Sequence, residues 1–310
     1  MKEFDLISRL TRTLPTNPSV VVGPGDDCAV LDEGVPDRLL LFKTDAVVEG
    51  VHFTREAAPE KIGHKALARC LSDIAAMAGT PSAAVVTIGL PRDYQPEFVE
   101  AIYAGMGALA RRHQVAIVGG ETTTNPGGIF ISIALLGWAP RGKAVLRSGA
   151  EAGDAIFVTG QLGGSLAGKH LDFEPRLTEA RWLAKHFPLH AMIDLSDGLA
   201  GDLRHILKAS RVGAELLATS IPISREAKVA AKARSSAKPA LLAALTDGED
   251  FELLFTVTSR DAVPLLDGWR QQFPGVALTC IGRIKEGEGI TLRDKHGVRL
   301  LSANGYTHFA

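Results

Sequence analysis

Pro59-Glu60-Lys61-Ile62-Gly63-His64-Lys65-Ala66-Leu67-Ala68-Arg69-Cys70-Leu71-Ser72-Asp73-Ile74-Ala75-Ala76-Met77 is a long helical pattern. Ile62, Leu67, Cys70, Leu71, Ile74 and Met77 form its apolar stripe, Pro59 opens it, and Gly79 and Pro81 stop it. What lies on either side decides the fold. Upstream, Phe4, Ile7, Leu10 and Leu14 open the chain with a short amphipathic helix, and β-prone runs at 20–22, 28–31 and 39–42 are separated by turns such as Gly23-Pro24-Gly25-Asp26-Asp27. Downstream, strands are predicted at 83–90, 115–118 and 129–138, with a helix over 96–112. The second half repeats the mixture: strands at 155–159 and 191–193, helices before 186 and over 198–210, and strands at 251–257 and 278–284 flanking a helix over 260–273. This is an α/β (α+β) chain. A length of 310 residues suits two domains, and Pro140-Arg141-Gly142-Lys143 is the best linker, dividing the chain into 1–139 and 140–310. Residues 227–244, rich in Ala, Lys and Ser, read as a surface helix with a mobile turn.

A chain that is 46% hydrophobic and 22% charged can bury a substantial core, and disorder is not indicated. A net charge of -1 with mixed signs provides no basic field for nucleic acid or anionic lipid, so any affinity for phosphates must come from local sites. Cys28, Cys70 and Cys280 are odd in number and in no metal-ligand spacing, which argues against a disulfide framework or a zinc ribbon. The longest apolar stretch, 129–139, is too short to span a bilayer, and the N-terminus lacks a basic segment followed by an apolar one. A cytoplasmic protein with no membrane partner is expected.

The strongest chemical signal is a set of carboxylates at predicted strand ends and helix starts: Asp26, Asp27, Asp45, Asp73, Glu121, Asp194 and Asp197. Asp26 or Asp197 alone reads as a cap for backbone donors. Asp73 resists that reading, because it lies on or beside the apolar stripe, three residues after Cys70 and four before Met77. A carboxylate near a core needs a partner cation. Lys65 and Arg69 are the local candidates, although both fall on other parts of the helix surface.

Oxygen ligands without a His/Cys cluster favour Mg²⁺, and phosphoryl transfer needs such ions to neutralise phosphate charge. The chain has neither a P-loop nor the protein-kinase motif set. Gly160-Gln161-Leu162-Gly163-Gly164-Ser165 follows a strand and has the composition to approach phosphate, but tight packing is as good a reading.

A family resemblance emerges from the motifs taken together. Gly25-Asp26-Asp27-Cys28-Ala29-Val30, Thr44-Asp45 with Glu49-Gly50-Val51-His52-Phe53, and Lys65-Ala66-Leu67-Ala68 with Leu71-Ser72-Asp73-Ile74-Ala75-Ala76-Met77 stand in order along the first half. Gly119-Gly120-Glu121-Thr122-Thr123, Arg147-Ser148-Gly149-Ala150, Asp194-Leu195-Ser196-Asp197-Gly198-Leu199 and Gly248-Glu249-Asp250-Phe251-Glu252-Leu253 follow. In this order and combination the chain resembles the thiamine-monophosphate kinases, from residue 3 to the C-terminus.

The resemblance implies an aminoimidazole-ribonucleotide-synthetase-like fold whose N-terminal domain pairs its sheet with a twin in a homodimer. It also implies ATP as co-substrate, Mg²⁺ as cofactor and thiamine monophosphate as acceptor. By position, Asp27, Thr44, Asp45, Asp73, Glu121, Asp194 and Asp197 match metal ligands, with Asp73 and Asp197 assigned the catalytic charge stabilisation. Gly120, Glu121, Arg147 and Ser196 match ATP contacts, and His52, Glu249 and Tyr306 match contacts to the acceptor. Two positions depart from the commoner pattern: Lys43 stands where many members have Ser or Thr, and Glu121 where they have Asp. Lys43 is expected either to pair with a phosphate or Glu121, supplying charge that a further Mg²⁺ supplies in relatives, or to point into solvent. Two other readings compete. One is a nucleotide-binding homologue that has lost catalysis. The other is a different ATP-dependent enzyme of the same superfamily, though selenophosphate synthetase would carry a reactive Cys or selenocysteine near a lysine in an N-terminal loop.

Overall fold

The computed structural model describes residues 3–233, 238–302, 305 and 306. Its strands form two sheets. In the first, β1 (Val20–Val22), β2 (Ala29–Leu31), β3 (Arg38–Val48), β4 (Thr80–Leu90), β5 (Ala116–Thr124) and β6 (Phe130–Pro140) lie in the order β1-β2-β3-β6-β4-β5. Only β4 and β5 run parallel. The second sheet holds β7 (Ala155–Thr159), β8 (Leu189–Asp194), β9 (Gly213–Leu217), β10 (Leu253–Val257), β11 (Leu278–Lys285), β12 (Ile290–Asp294) and β13 (Gly297–Leu300), in the order β13-β12-β9-β11-β7-β10-β8. The helices are α1 (Glu3–Thr11), α2 (Pro59–Ala76), α3 (Pro96–Arg112), α4 (Lys169–Asp172), α5 (Leu177–His186), α6 (Leu199–Ser210), α7 (Arg225–Lys232), α8 (Ala240–Thr246) and α9 (Ala262–Gln272). Residues 234–237, within the expected mobile turn, lie outside the described residues.

The helix over 59–77 is as expected, but it is buried on nearly every side rather than along one stripe. One flank covers β3 and β6, another meets α3, and α4, α5 and β8 of the second half also pack on it, α4 near Lys61 and the end of β8 near Ser72 and Asp73. Glycines permit this. A Cβ at Gly63 would stand 1.8 Å from the Ile102 carbonyl oxygen, and one at Gly105 1.9 Å from that of Glu60, so α2 and α3 touch backbone to backbone. Leu67, Leu71 and Ile74 are fully buried, each worth roughly 1.5–3 kcal/mol of transfer free energy.

β3 pairs with β6 over eleven residues, from Arg38 opposite Pro140 to Val48 opposite Phe130. The side of the first sheet turned to α2 buries Leu39, Leu41, Val86, Ile131 and Ile133, while Phe42, Val85 and Leu136 on the other side are exposed. The second sheet is covered on both faces. Phe157, Leu253 and Phe255 join the core around α2, whereas Ile156, Val158 and Leu254 pack with α6 and α8. That two-sided burial leaves every residue of β7 and β10 buried, Thr159 and Thr256 included.

Candidate active site

Three carboxylates converge where α2 meets both sheets. Asp27 precedes β2, Asp73 lies in the last turns of α2, and Asp194 ends β8; one oxygen of each lies within 4.8 Å of the others. All three are buried. Asp27 Oδ1 accepts from Arg147 Nη2 at 2.5 Å, but its Oδ2 is buried without a hydrogen-bond partner. Asp73 Oδ1 pairs with Lys43 Nζ at 2.7 Å. Asp194 Oδ2 accepts from the Ser72 hydroxyl at 2.5 Å.

Burial is the largest influence on Asp73 and Asp194. It pushes Asp73 well above the usual carboxylate range, helped by the charges of Asp194, Asp45 and Asp27 and opposed by Lys43. It raises Asp194 to about 6, with Asp27 adding to the shift and Ser72, Lys43 and Arg147 opposing it. Lys43 would be lowered by burial, but the charges of Asp73 and Asp45 outweigh that and raise it. A crowded, desolvated set of acids with one orphaned oxygen is a strong acceptor for a hard cation. The donor set fits Mg²⁺: all oxygen, three carboxylates, and no soft ligand offered.

The expected partner of Asp73 needs correction. Arg69 turns instead to Asp45, with Nε 3.0 Å from Oδ2 and Nη2 3.2 Å from Oδ1. Lys65 is wholly buried and donates at 2.6 Å both to the His52 carbonyl and to Glu249 Oε2. Lys43 neither stands at a strand end nor joins Glu121: partly buried at mid-strand, it faces α2 and sits on Asp73. Because side chains alternate along β3, Thr44 faces the opposite side of the sheet. There its hydroxyl lies 3.5 Å from that of Ser132. Glu121 is exposed on the edge strand β5, and its row (Thr87 and Ser132 across the sheet) shares that outer face. The expected ligands therefore divide: Asp27, Asp73 and Asp194 cluster on the α2 side, Asp45 lies beside Arg69 and Lys43, and Thr44 and Glu121 lie on the outer side. Gly120 belongs to the same edge strand.

A second acidic group stands at the start of α6. Asp197, Asp202 and His205 offer ligand atoms within 4.8 Å of one another, but Asp202 Oδ2 already accepts from the Asp197 and Gly198 amides at 3.0 Å each. His205 is lowered to about 4, by burial first and then by Arg147. The Asp197 carbonyl accepts from the Tyr306 amide at 2.8 Å, which brings the half-exposed Tyr306 beside this turn. Ser196 lies one residue before it, and its carbonyl accepts from the Glu249 amide at 2.7 Å. His308 and Phe309 lie outside the described residues. The sequence reading missed Asp202 and His205, although their placement after Asp197-Gly198, three apart on a helix, was a usable signal.

Asp26 behaves as the cap its sequence suggests, accepting from the Asp27 amide at 3.0 Å and the Arg147 amide at 3.1 Å. The glycine-rich turn at 160–165 has its three glycine amides engaged, Gly160 on the Ala277 carbonyl. The Gly163 amide reaches the Asp250 oxygens at 2.9 and 3.1 Å, and the Gly164 amide reaches Asp247 Oδ2 at 3.0 Å. Tight packing is therefore its role: a Cβ at Gly163 would meet Ala244 N at 2.7 Å. Glu252, quoted in the Gly248–Leu253 motif but given no role from sequence, is buried among Thr159 (2.8 Å), Lys169 (2.7 Å) and Arg176 (2.8 and 2.9 Å).

Asp250 yields a pH prediction. Burial raises it to about 7, with the Lys169 charge opposing. Between roughly pH 4 and that value the folded chain keeps a proton that the unfolded chain has released. Stability is therefore lost as pH rises through the window, and the loss is constant above it. Asp250→Asn retains an acceptor for Gly163 and is expected to unfold at the same urea concentration as wild type near pH 4, but at a higher one at pH 8. Equal midpoints at both pH values would refute this.

Comparisons with known proteins identify the family. The family model "AIR synthase related protein, N-terminal domain" matches residues 25–139. The chain is 43% identical to the thiamine-monophosphate kinase of Rhodopirellula baltica over 291 residues, covering 91% of this chain and 88% of that protein. It is 34% identical to the enzyme of that name from Escherichia coli K12, with 99% and 98% covered. The solved structure "AaThiL complexed with AMPPCP and TMP" superposes with a TM-score of 0.84 at 31% identity, covering 99% of this chain and 97% of that one. With a 43% identical relative matched across nine-tenths of its length and the same fold end to end, this chain belongs to the thiamine-monophosphate kinase family.

Proposed function

We propose that the chain transfers the γ-phosphoryl group of ATP to the phosphate of thiamine monophosphate, giving thiamine diphosphate and ADP, with Mg²⁺ in the acidic cluster. An acceptor phosphate oxygen attacks the γ-phosphorus, the new P–O bond forms as the bond to the β-phosphate oxygen breaks, and ADP leaves with that electron pair. The observation that carries this reading is the buried triad Asp27, Asp73 and Asp194 with its orphaned oxygen, in a chain of this family. Bound Mg²⁺ would neutralise phosphate charge that builds toward the transition state. Asp27, Asp73 and Asp194 would hold it. Asp45 and Asp197 flank that cluster, and Thr44 and Glu121 would reach phosphate or metal only from the outer side of the sheet.

The remaining roles are part of the same proposal. Arg147, anchored on Asp27 with its Nε buried and unpaired, presents a guanidinium to the nucleotide phosphates together with Ser196 and the Gly120 backbone. His52 and Glu249, joined through Lys65, and Tyr306 beside the Asp197 turn bind the acceptor. No protein nucleophile is required, because a phosphate oxygen needs alignment more than activation. The test is direct: purified chain, ATP, Mg²⁺ and thiamine monophosphate should yield thiamine diphosphate and ADP. ATP retained without turnover would instead favour a nucleotide-binding homologue, a reading motivated by the Lys43 contact with Asp73.

Further parts of the reading rest on the sheets. The division near residue 140 follows the end of β6, and no helix among the described residues is long and apolar enough to cross a membrane; a cytoplasmic location is part of the proposal. The outer face of the first sheet, with Phe42, Val85 and Leu136 at 44%, 42% and 37% exposure, supports a homodimer closed across it. An interface of well over ~1,000 Å² is expected. Light scattering should report a dimer, and Val85→Asp should convert it to a monomer; a wild-type monomer at all concentrations would overturn the assignment.

A further inference from the structure

The protein's own cations are distributed unevenly over the acidic site. Arg147 holds Asp27, Arg69 holds Asp45, and Lys43 holds Asp73 Oδ1 at 2.7 Å. Asp194 receives the Ser72 hydroxyl and no cationic side chain among the described residues, and Asp27 Oδ2 is buried with no partner at all. The side of the cluster that wants positive charge is thus the Asp27–Asp194 side. The Asp73–Asp45 side already contains it, because the Lys43 ammonium lies on one of these carboxylates and is influenced by the charge of the other.

We infer that Lys43 is a resident cation: its ammonium takes the position that a second divalent ion would occupy between Asp73 and Asp45. The inference rests on the proposed reading of the cluster as a metal site. A lysine ammonium has three donors and no acceptor, so it cannot ligate a metal, and at this distance from Asp73 it repels one from that oxygen. Its placement is fixed by the fold. β3 carries Lys43 and Asp45 on the face turned to α2, where Asp73 and Arg69 stand, so a serine or threonine at 43 would offer a ligating hydroxyl toward the same spot. Lys43 therefore sets metal number.

The test counts ions and needs no turnover. The full chain is titrated with Mn²⁺ without nucleotide, and free Mn²⁺ is read by electron paramagnetic resonance. Lys43→Ser is expected to bind one more Mn²⁺ per chain than wild type, and Lys43→Arg the same number as wild type. Equal counts for wild type and Lys43→Ser would overturn the inference, as would an extra ion on Lys43→Arg. Absence of Mn²⁺ from the wild type and all variants would instead remove the metal-site reading on which the inference rests. Circular dichroism covers the folding risk. A Lys43→Ser chain that folds only when Mg²⁺ is added supports the replacement, and one that stays unfolded in saturating Mg²⁺ overturns it, because the ion then does not stand in for the ammonium.

Discussion

Asp73→Asn is expected to leave the chain folded and to lower kcat at saturating ATP, Mg²⁺ and thiamine monophosphate by at least ~100-fold, since charge stabilisation through a bound metal is worth several kcal/mol. The two halves of this expectation have separate causes. Folding survives because the replacement is nearly isosteric and removes a carboxyl whose ionisation burial opposes, while Lys43 keeps Asp45 as a neighbouring charge. Turnover falls because the neutral amide gives up one of the three acidic ligands of the cluster. Steady-state rates across a Mg²⁺ series, with a melting curve on the same sample, separate the two. A folded Asp73→Asn chain with near-normal kcat would remove Asp73 from the reaction.

How much of this site was legible in the sequence depends on whether a residue's partner is near it in the chain. α3 was placed to the residue at both ends, because Pro96 opens it and its apolar period ends at Arg112. β7 was likewise read correctly as 155–159. β3 was not: the apolar run suggested 39–42, whereas the strand runs on to Val48 through Lys43-Thr44-Asp45. Those polar residues stay in the strand because Lys43 and Asp45 find Asp73 and Arg69 on α2, a long-range compensation that no local pattern displays. β5 was cut short at 118 for a related reason, since Gly119-Gly120 reads as a turn yet pairs with Val85 and Val86. β9, β12 and β13 went unread. They are short, and β13 is an exposed edge.

The acidic residues themselves were visible, because carboxylates in turns and at element ends stand out in an apolar background. Their hydrogen-bonding partners were not. Arg147 is 120 residues from Asp27, and Ser72 is 122 from Asp194. The sequence suggested a cation for Asp73 from its own helix, and the fold supplied one from a neighbouring strand instead. A helix buried all round leaves few local choices: Arg69 is drawn to Asp45, and Lys65 to the second half of the chain.

Lys65 carries the other large prediction. Wholly buried in α2, it joins the His52 carbonyl in the first half to Glu249 in the second, at 2.6 Å each. Glu249 itself is held in a strained backbone, with φ of 64° and Phe251 at 49° two residues on, conformations that cost of order 1–3 kcal/mol each unless their surroundings fix them. Lys65→Met keeps the length of the side chain and removes the charge. Glu249 would then have only Arg69, whose Nη1 lies 3.7 Å away, and the His52 carbonyl would lose its donor. Breaking one side of a buried pair costs about 3–5 kcal/mol, so the urea midpoint should fall sharply while the fold, with a typical total of roughly 5–15 kcal/mol, persists. Loss of both acceptor-binding segments' common anchor should raise KM for thiamine monophosphate by about tenfold or more, and KM for ATP should change little, because Arg147 and the Asp27 cluster are untouched. Adding Glu249→Gln to Lys65→Met distinguishes charge from packing. If the stranded carboxylate causes the loss, the double variant should recover part of the stability of the single one, though not its affinity for the acceptor. A double variant less stable than Lys65→Met, or an equal rise in both KM values, would mean that Lys65 merely fills space in the core.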